Sequence, residues 1–267
     1  MSQRPKNDDA TDIAAWEEQA ARKLLTATAY EDRMRLYSEI YDHDNAYWLE
    51  CHGRTGISGE CARNQRLLQA ACPGNGPILD IGGGIGVAGE AFPLTREYVV
   101  CDASPLVKAQ AATDAGTRRV TTGYATALPF PDGSFEAVLM LDVLEHLHSA
   151  DIDLCLDEIL RVLRPSGRLL LATPNRISGP WDGSRKFQRR TGRFGLHLNE
   201  MSVSRMITLL RRHDFTPLGF QTRRFTSRFV AIPPLWLWAA LLEGMAYCIP
   251  WRHRPRLCPL AVVLAKK

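Results

Sequence analysis

A glycine-rich turn with an acid in front of it is the first feature that could hold a ligand. In PILDIGGGIGVAG, residues 77–89, Gly84, Gly86 and Gly89 have the spacing of a dinucleotide-binding turn. Glycine suits such a turn because the backbone must bend sharply and approach the ligand with no Cβ in the way. Asp80 precedes the glycines, and its charge would repel a pyrophosphate. The stretch therefore poses a choice between NAD and another adenosyl cofactor, with a tightly packed structural turn as the plain alternative.

Three further side chains extend the candidate site. Asp102 ends the apolar run EYVVCD and could accept hydrogen bonds from both hydroxyls of a ribose, or it could cap a helix that begins after Ser104. His146, in DVLEHL, and His197, in FGLHLNEM, are the candidates for a general base. A packing or loop-bracing role is the alternative for His146, and a pocket-lining role is the alternative for His197.

Alternating strands and helices must position these residues. Short runs that are apolar on both faces predict buried parallel strands at residues 77–81, 97–101, 136–141 and 167–172. Residues 150–164 carry apolar side chains at helical spacing, with Ser149 as a cap and Pro165 and Gly167 as the stop. The segment VAGEAF, after the glycines, predicts another helix. This alternation predicts a doubly wound α/β sheet whose glycine turn lies at the carboxyl ends of the strands.

Length and composition predict one domain with additions. The chain has 267 residues, of which 45% are hydrophobic and 23% charged, so it can bury one large core. Helical patterns with aromatic side chains at 1–60 predict a helical cap before the domain at 61–267. The polar N-terminus lacks the apolar segment of a secretory signal, so the expected location is the cytoplasm. The seven cysteines are scattered and form no C-x-x-C pair, which predicts reduced thiols.

Charge is divided unevenly along the chain. Residues 1–160 hold 13 Lys and Arg against 25 Asp and Glu, and residues 161–267 hold 20 against 4, so net charges of −12 and +16 combine to +4. The arginines of the basic half are dispersed, and no nucleic-acid-binding motif accompanies them, so a nucleic-acid partner is not predicted. An anionic lipid surface, a phosphorylated substrate, an acidic carrier protein and a solvated face all remain compatible with this charge.

Four segments together resemble the motif series of the class I S-adenosylmethionine-dependent methyltransferases. They are ILDIGGGIG, the end of EYVVCD, GYATALPFPDGSFEAVLMLDVLEHL and RVLRPSGRLLLATPN, within residues 78–175. The resemblance implies a Rossmann-like, mostly parallel, seven-stranded sheet with S-adenosylmethionine as the cofactor. Asp80 favours this cofactor over NAD because the family uses an acid there near the methionine end, whereas the acid at Asp102 is common to both classes.

The resemblance also implies roles for individual residues near the cofactor. Gly82 and Gly84 would let the backbone reach the methionine part, and Asp80 would contact its ammonium group through water or through the turn. Asp102 would bind the ribose, with Ala103 as a further cofactor contact.

The adenine and sulfonium ends have their own candidate residues. Ala125 and Thr126 would border the adenine, and Asp142 would lie close to the sulfonium. Tyr124 stands where many relatives have an acid, and it would stack on the adenine or bond to it through the hydroxyl. No metal site is predicted.

An apolar insertion between the predicted strands TPLGFQT and LAVVLAK is the least typical part of the chain. Residues 229–251 contain Glu243 as their one formal charge, but prolines and a glycine interrupt them, so a transmembrane span is not predicted. A basic loop at 176–200 and the insertion at 225–257 are predicted to cover the substrate site, the latter as a helical lid. On a helix, Trp236 and Trp238 would point to different faces, one toward the core and one toward substrate or lipid.

The flanks of this insertion suggest a second interpretation. Six arginines lie on either side of it in the sequence: Arg223, Arg224, Arg228, Arg252, Arg254 and Arg256. Such flanks suit an anionic substrate or docking on an anionic membrane surface, and a buried helical hairpin is the plain alternative for the apolar part.

These observations predict an enzyme that transfers a methyl group from S-adenosylmethionine to a large apolar small-molecule acceptor, expected at oxygen. A natural-product, quinone-like or lipid-linked intermediate would suit such a site. A methyltransferase fold that carries out another reaction and a cofactor-binding regulatory or scaffold subunit are the alternatives, because a fold does not determine a reaction.

Overall fold

The computed structural model of the protein describes residues 7–52, 64–113, 119–177, 196–221, 229–231, 233–249, 253 and 260–267. The strands are β1 Ile78–Ile81, β2 Tyr98–Asp102, β3 Arg119–Thr122, β4 Phe135–Leu141, β5 Leu163–Pro174, β6 Thr216–Gln221 and β7 Leu260–Lys266. The helices are α1 Asn7–Thr26, α2 Tyr30–His52, α3 Gln65–Ala71, α4 Pro105–Thr113, α5 Ile152–Val162, α6 Val203–Arg212 and α7 Leu235–Tyr247.

The seven strands form one sheet in the order β3-β2-β1-β4-β5-β7-β6. Pairing is parallel from β3 to β5, whereas β7 runs antiparallel to both of its neighbours. Buried apolar side chains pack on both faces of the sheet. This arrangement confirms the predicted Rossmann-like, doubly wound, mostly parallel sheet of seven strands.

The register of the central strands brings the predicted site residues to one edge. Ile81 at the end of β1 is paired with Cys101 of β2 and with Met140 of β4. The residues that follow, Gly82, Asp102 and the turn at Asp142, therefore lie together beyond the carboxyl ends of these strands, where open α/β sheets bind ligands.

Two predicted helices differ from the structure at their ends. The segment after the glycines forms only a 3₁₀ turn, Val87–Ala91, because Phe92 is already extended in front of Pro93. The helix predicted at 150–164 is α5, preceded by a 3₁₀ turn at Ser149–Asp151 whose cap is the His148 ring and not Ser149. It ends at Val162 because β5 begins at Leu163, ahead of the prolyl bond at residue 165.

Helix α2 is bound to the sheet domain by a buried polar network. Arg33 donates to both carboxylate oxygens of Asp151 over 2.7–2.9 Å, and the Tyr37 hydroxyl donates to the same carboxylate at 2.8 Å. The Tyr37 oxygen also accepts from the backbone N–H of His148 at 2.7 Å. Near the C-terminal half of the helix, the Asp42 carboxylate accepts from the Ser104 hydroxyl and from the Leu106 amide, and so caps α4. One face of α2 is thereby held against the ligand-binding edge of the sheet.

The described part of the insertion is α7, which packs against α6 and β6. Its buried residues Leu235, Ala239 and Ala246 form one stripe along the helix, and the Glu243 carboxylate accepts from the Ser204 amide at 3.0 Å. Trp236 and Trp238 lie outside that stripe and are 46% and 41% exposed, so the prediction that one of them enters the core is wrong.

The predicted coverings of the substrate site are only partly described. Residues 178–195 of the basic loop, the segments 222–228 and 254–259, and the six flanking arginines lie outside the described residues. A lid role for the insertion therefore stays a prediction. Among the helices of the described ranges, none combines the length and the apolar character needed to cross a membrane.

Candidate functional site

A cavity opens at the carboxyl edge of β1, β2 and β4. It is lined by nine of the eleven predicted site residues: Gly82, Gly84, Asp102, Ala103, Tyr124, Ala125, Thr126, Asp142 and His146. Asp80 and His197 are absent from its lining. Tyr37, Tyr41, Asp44 and Asn45 of α2 form a wall that the sequence analysis did not identify, although Tyr37 and Tyr41 are four residues apart on a predicted helix.

The glycine turn brings bare backbone to the cavity. Gly82 has φ +66°, and a Cβ there would lie 2.5 Å from a methyl carbon of Val143. Gly84 has φ +55°, and a Cβ on it would meet no atom within 4 Å. The main chain at Gly84 therefore borders open space. A side chain at either position would be strained, and at Gly84 it would project into space that a ligand can use.

Asp102 organises this turn through both of its carboxylate oxygens. Oδ2 accepts from the Gly84 amide at 3.1 Å, and Oδ1 accepts from the Ser104 amide at 3.0 Å. Because each carboxylate oxygen has a second lone pair, two acceptor sites remain for vicinal hydroxyls. Burial raises the pKa of Asp102, partly opposed by these two hydrogen bonds. The residue does not act as the cap of α4, since Asp42 accepts from the Leu106 amide there.

Asp80 lies behind the turn. Its carboxylate accepts a hydrogen bond of 2.6 Å from the Tyr98 hydroxyl and sits against Gly83, where a Cβ would be 2.1 Å from Oδ2. Burial raises the pKa of Asp80 to about 7. The side chain supports the backbone of the turn, and its predicted contribution to binding the ammonium group stays a prediction.

The segment 123–126 also lines the cavity, and α2 packs on it. The Thr126 hydroxyl lies 3.0 Å from the Tyr30 hydroxyl and donates to the Met34 sulfur at 3.2 Å. Tyr124 is half-buried and pairs through its backbone with Ala127. The predicted adenine contacts therefore depend on α2 as well as on the sheet.

The two candidate bases are neighbours, and His146 is the one that lines the cavity. His146 belongs to a 3₁₀ turn, Leu144–His146, that follows β4, and its Nδ1 lies 3.1 Å from the Leu196 carbonyl oxygen. His197 lies next to Leu196, and the ring centroids of the two histidines are 4.8 Å apart. The backbone amide of Asn199 donates to the Glu145 carbonyl at 2.8 Å and holds the two segments together.

Glu145 is a site residue that the sequence analysis missed. It is fully buried, and its Oε2 accepts from the Thr173 hydroxyl at 3.0 Å. Its Oε1 lies 3.9 Å from His146 Nε2. The acid stands directly before His146 in DVLEHL, so the pair was visible in the sequence, but its proximity to His197 depends on the packing of a segment about fifty residues away.

Burial shifts the pKa values of His146 and Glu145. It lowers the pKa of His146 to about 3, with a further contribution from His197, so the imidazole is neutral near pH 7. Burial and the neighbouring Asp142 raise the pKa of Glu145. Since Nδ1 of His146 faces a carbonyl oxygen, it carries the proton, and the lone pair is on Nε2. Such a nitrogen can accept a proton or bind a cation.

Comparisons with known proteins agree with this geometry. The sequence model of a methyltransferase domain family matches residues 79–171. An uncharacterized methyltransferase of Mycobacterium sp. (strain JLS) is 31% identical over 188 residues, which cover 64% of this chain and 73% of that protein.

Two solved structures share the fold. The [4+2]-cyclase SpnF has a TM-score of 0.59 and 18% identity, with 88% of this chain and 96% of that chain covered. The 1,6-didemethyltoxoflavin-N1-methyltransferase of Burkholderia thailandensis, solved with 1,6-didemethyltoxoflavin and S-adenosylhomocysteine, has a TM-score of 0.57 and 19% identity, with 90% and 91% covered.

The glycine turn, the paired acceptors of Asp102 and the open space at Gly84 fit an adenosyl cofactor, and the family match covers the strands that carry them. The chain belongs to the class I S-adenosylmethionine-dependent methyltransferases.

Proposed function

We propose that this methyltransferase acts on a hydroxyl group of a large apolar acceptor. The observation that carries the proposal is His146, whose imidazole lines the cavity with Nδ1 facing the Leu196 carbonyl oxygen. S-adenosylmethionine, when bound, supplies a methyl group on a positively charged sulfur. The chain has to align the acceptor with that methyl group, exclude water and receive the hydroxyl proton.

The residues assigned to the cofactor divide the cavity into two ends. Gly82, Gly84 and Asp102 would hold the methionine and ribose parts, and Tyr124, Ala125 and Thr126 would surround the adenine. This leaves Asp142, Val143, His146 and Leu147 for the end where the acceptor enters. Tyr41 packs edge-on against the His146 ring, with centroids 5.7 Å apart, and so contributes an aromatic wall there.

An apolar acceptor is supported by the surface as well as by the cavity. Helix α7 exposes six large apolar side chains: Trp236, Leu237, Trp238, Leu241, Met245 and Tyr247. Trp and Tyr beside basic sequence are typical of proteins that lie on anionic membranes. We propose that α7 docks on such a membrane surface and that the acceptor is taken from it.

A screen for the product tests the reaction. The purified full-length chain, incubated with S-adenosylmethionine and an apolar extract of cells, is expected to convert one component to a product heavier by one CH₂, detected by mass spectrometry. Methyl ether formation, established by fragmentation, supports transfer to oxygen. A methylated nitrogen or carbon would contradict the hydroxyl acceptor and leave the methyltransferase assignment intact.

The same screen addresses an alternative reaction. The fold is shared with a [4+2]-cyclase, and a fold of this kind can host other chemistry. A product with the same mass as its precursor and with no S-adenosylhomocysteine formed would favour a reaction other than methyl transfer.

A further inference from the structure

Three potential metal ligands converge where the acceptor end of the cavity meets the segment 196–200. Glu145, His146 and His197 each offer one ligand atom, and these atoms lie within 4.8 Å of one another. Glu145 is completely buried, yet its Oε1 has no hydrogen-bond partner among the described residues. A buried carboxylate oxygen without a donor is costly, because it has lost its hydration without replacement. A cation in contact with Oε1 would remove that cost.

Neighbouring groups hold one ring nitrogen of each histidine and one oxygen of Glu145. Nδ1 of His146 faces the Leu196 carbonyl at 3.1 Å, and Nδ1 of His197 faces the Glu200 carboxylate at 3.0 Å. Metal-binding histidines usually donate one ring N–H to such a carbonyl or carboxylate, which leaves the lone pair on the other nitrogen. Thr173 donates to Oε2 of Glu145 and so leaves Oε1 to face His146 Nε2.

We propose that Glu145, His146 and His197 form a binding site for one divalent transition-metal ion. Two imidazoles and one carboxylate are a ligand set that zinc accepts in catalytic sites, with a coordination position left open. Ligand atoms around a tetrahedral zinc ion lie about 3.4 Å apart, since each is about 2 Å from the metal. The spacings of 3.9–4.8 Å in the protein require shifts of roughly 1 Å to close on the ion.

The position of the site gives the ion a role at the acceptor, and this step rests on the proposed function. His146 lines the cavity, so an ion bound to it would lie next to the acceptor end. A hydroxyl bound there would release its proton to solvent water more easily, because a bound cation lowers the pKa of an oxygen that it coordinates. His146 would then act as a ligand, and the metal-bound hydroxyl would not need a histidine base.

Metal binding is tested on the purified full-length chain after treatment with a chelator. Calorimetry with Zn²⁺ is expected to show one site per chain, and Mg²⁺, which prefers oxygen ligands, is expected to bind far more weakly. With Co²⁺ as a spectroscopic probe, the proton NMR spectrum should contain two strongly shifted exchangeable N–H signals, one from each ligand imidazole. These measurements use the wild-type chain and do not depend on the folding of any variant.

Variants identify the ligands. His146→Gln, His197→Gln and Glu145→Gln should each lower Zn²⁺ affinity at least 10-fold, and Glu200→Gln should lower it about 10- to 100-fold through the orientation of His197. His213→Gln is the matched control, since His213 also contacts carboxylates, Asp153 and Asp157, but lies outside the cluster. It should keep wild-type affinity.

Several outcomes would overturn the site. They are the absence of saturable Zn²⁺ binding, a Co²⁺ spectrum without imidazole N–H signals, and unchanged affinity in all three ligand variants. The proposed function is judged separately by the product screen. If the chain binds the metal but forms no methylated hydroxyl product, the proposed acceptor alone is refuted. If the chain binds no Zn²⁺ and methyl transfer is unaffected by a chelator, the metal site alone is refuted.

Discussion

Asp102 supports the glycine turn, because its two oxygens accept from the amides of Gly84 and Ser104, and each oxygen retains one acceptor site. We expect Asp102→Ala to weaken S-adenosylhomocysteine binding by about 1.5–3 kcal/mol, the range for hydrogen bonds to a charged group. Calorimetry measures this, and the wild-type chain should show no NAD binding. Asp132→Ala, which removes an exposed acid, is the control. Unchanged affinity in Asp102→Ala would reduce the residue to a support for the turn.

Asp80 makes stability depend on pH in a direction opposite to that of most carboxylates. Burial raises its pKa to about 7 in the folded chain, compared with about 3.9 when unfolded. Between these values the folded state binds a proton that the unfolded state lacks, so this residue lowers the free energy of unfolding as pH rises from about 4 to about 7.

Asp80→Asn isolates this contribution, because the amide can still accept from Tyr98 but cannot ionise. Relative to wild type, the variant should gain free energy of unfolding between pH 5 and pH 8, by on the order of 3 kcal/mol. Urea denaturation at both pH values measures the difference. Parallel pH profiles for the two proteins would show that Asp80 is already ionised in the folded chain at pH 5.

Helix α2 forms one wall of the cavity, and a buried ion pair between Arg33 and Asp151 holds it against the sheet domain. Arg33 and Asp151 are 6% and 0% exposed in their side chains, so loss of one partner leaves the other charge buried. We expect Arg33→Met to lower the free energy of unfolding by about 3–5 kcal/mol. Arg35→Met, on the same helix, breaks only exposed pairs with Asp32 and Glu39 and should cost less than about 1 kcal/mol. Equal costs in denaturant titrations would contradict a locking role for Arg33.

The same variant tests whether the helix serves the site. Tyr37 and Tyr41 line the cavity from α2, and Thr126 contacts Tyr30 of that helix. A helix that detaches more readily should therefore bind S-adenosylhomocysteine more weakly. Under conditions where both proteins are folded, Arg33→Met should lose affinity for this ligand and Arg35→Met should keep it.

At the scale of the whole molecule, the exposed face of α7 and the charge of the second half of the chain support docking on anionic membranes. The full-length chain should float with vesicles of phosphatidylcholine and phosphatidylglycerol more than with phosphatidylcholine alone. High salt should reduce flotation with the anionic vesicles, because it screens the attraction between basic side chains and anionic lipid.

The tryptophans provide the matched comparison for this docking. The double change of Trp236 and Trp238 to Ala should reduce flotation but alter the free energy of unfolding by less than about 1 kcal/mol, since both side chains are exposed. Leu94→Ala, at an exposed apolar residue elsewhere, should float like wild type. Flotation that is insensitive to the tryptophans, or a stable dimer that buries α7, would contradict the membrane surface.

The predictions from sequence succeeded where a local pattern carries the information. Runs that are apolar on both faces identified the buried strands, and the glycines after β1 identified the turn, because backbone sterics act over a few residues. The order of segments from Ile78 to Asn175 was sufficient to indicate the family and the edge of the sheet where the cavity lies. These features depend on residues that are close in the chain.

Tertiary structure alone decided the contacts between distant segments. Glu145 stands beside His146 in the sequence, but its proximity to His197 requires the segment 196–200 to pack on the turn after β4. Helix α2 becomes a wall of the cavity because residues such as Arg33 bind partners far away in the sequence, here Asp151, 118 residues away. Both Trp236 and Trp238 are exposed because α7 buries a narrow stripe of small and aliphatic residues against its neighbours. Burial then sets the charges of Asp80, Glu145 and His146, since desolvation arises only when the chain is packed.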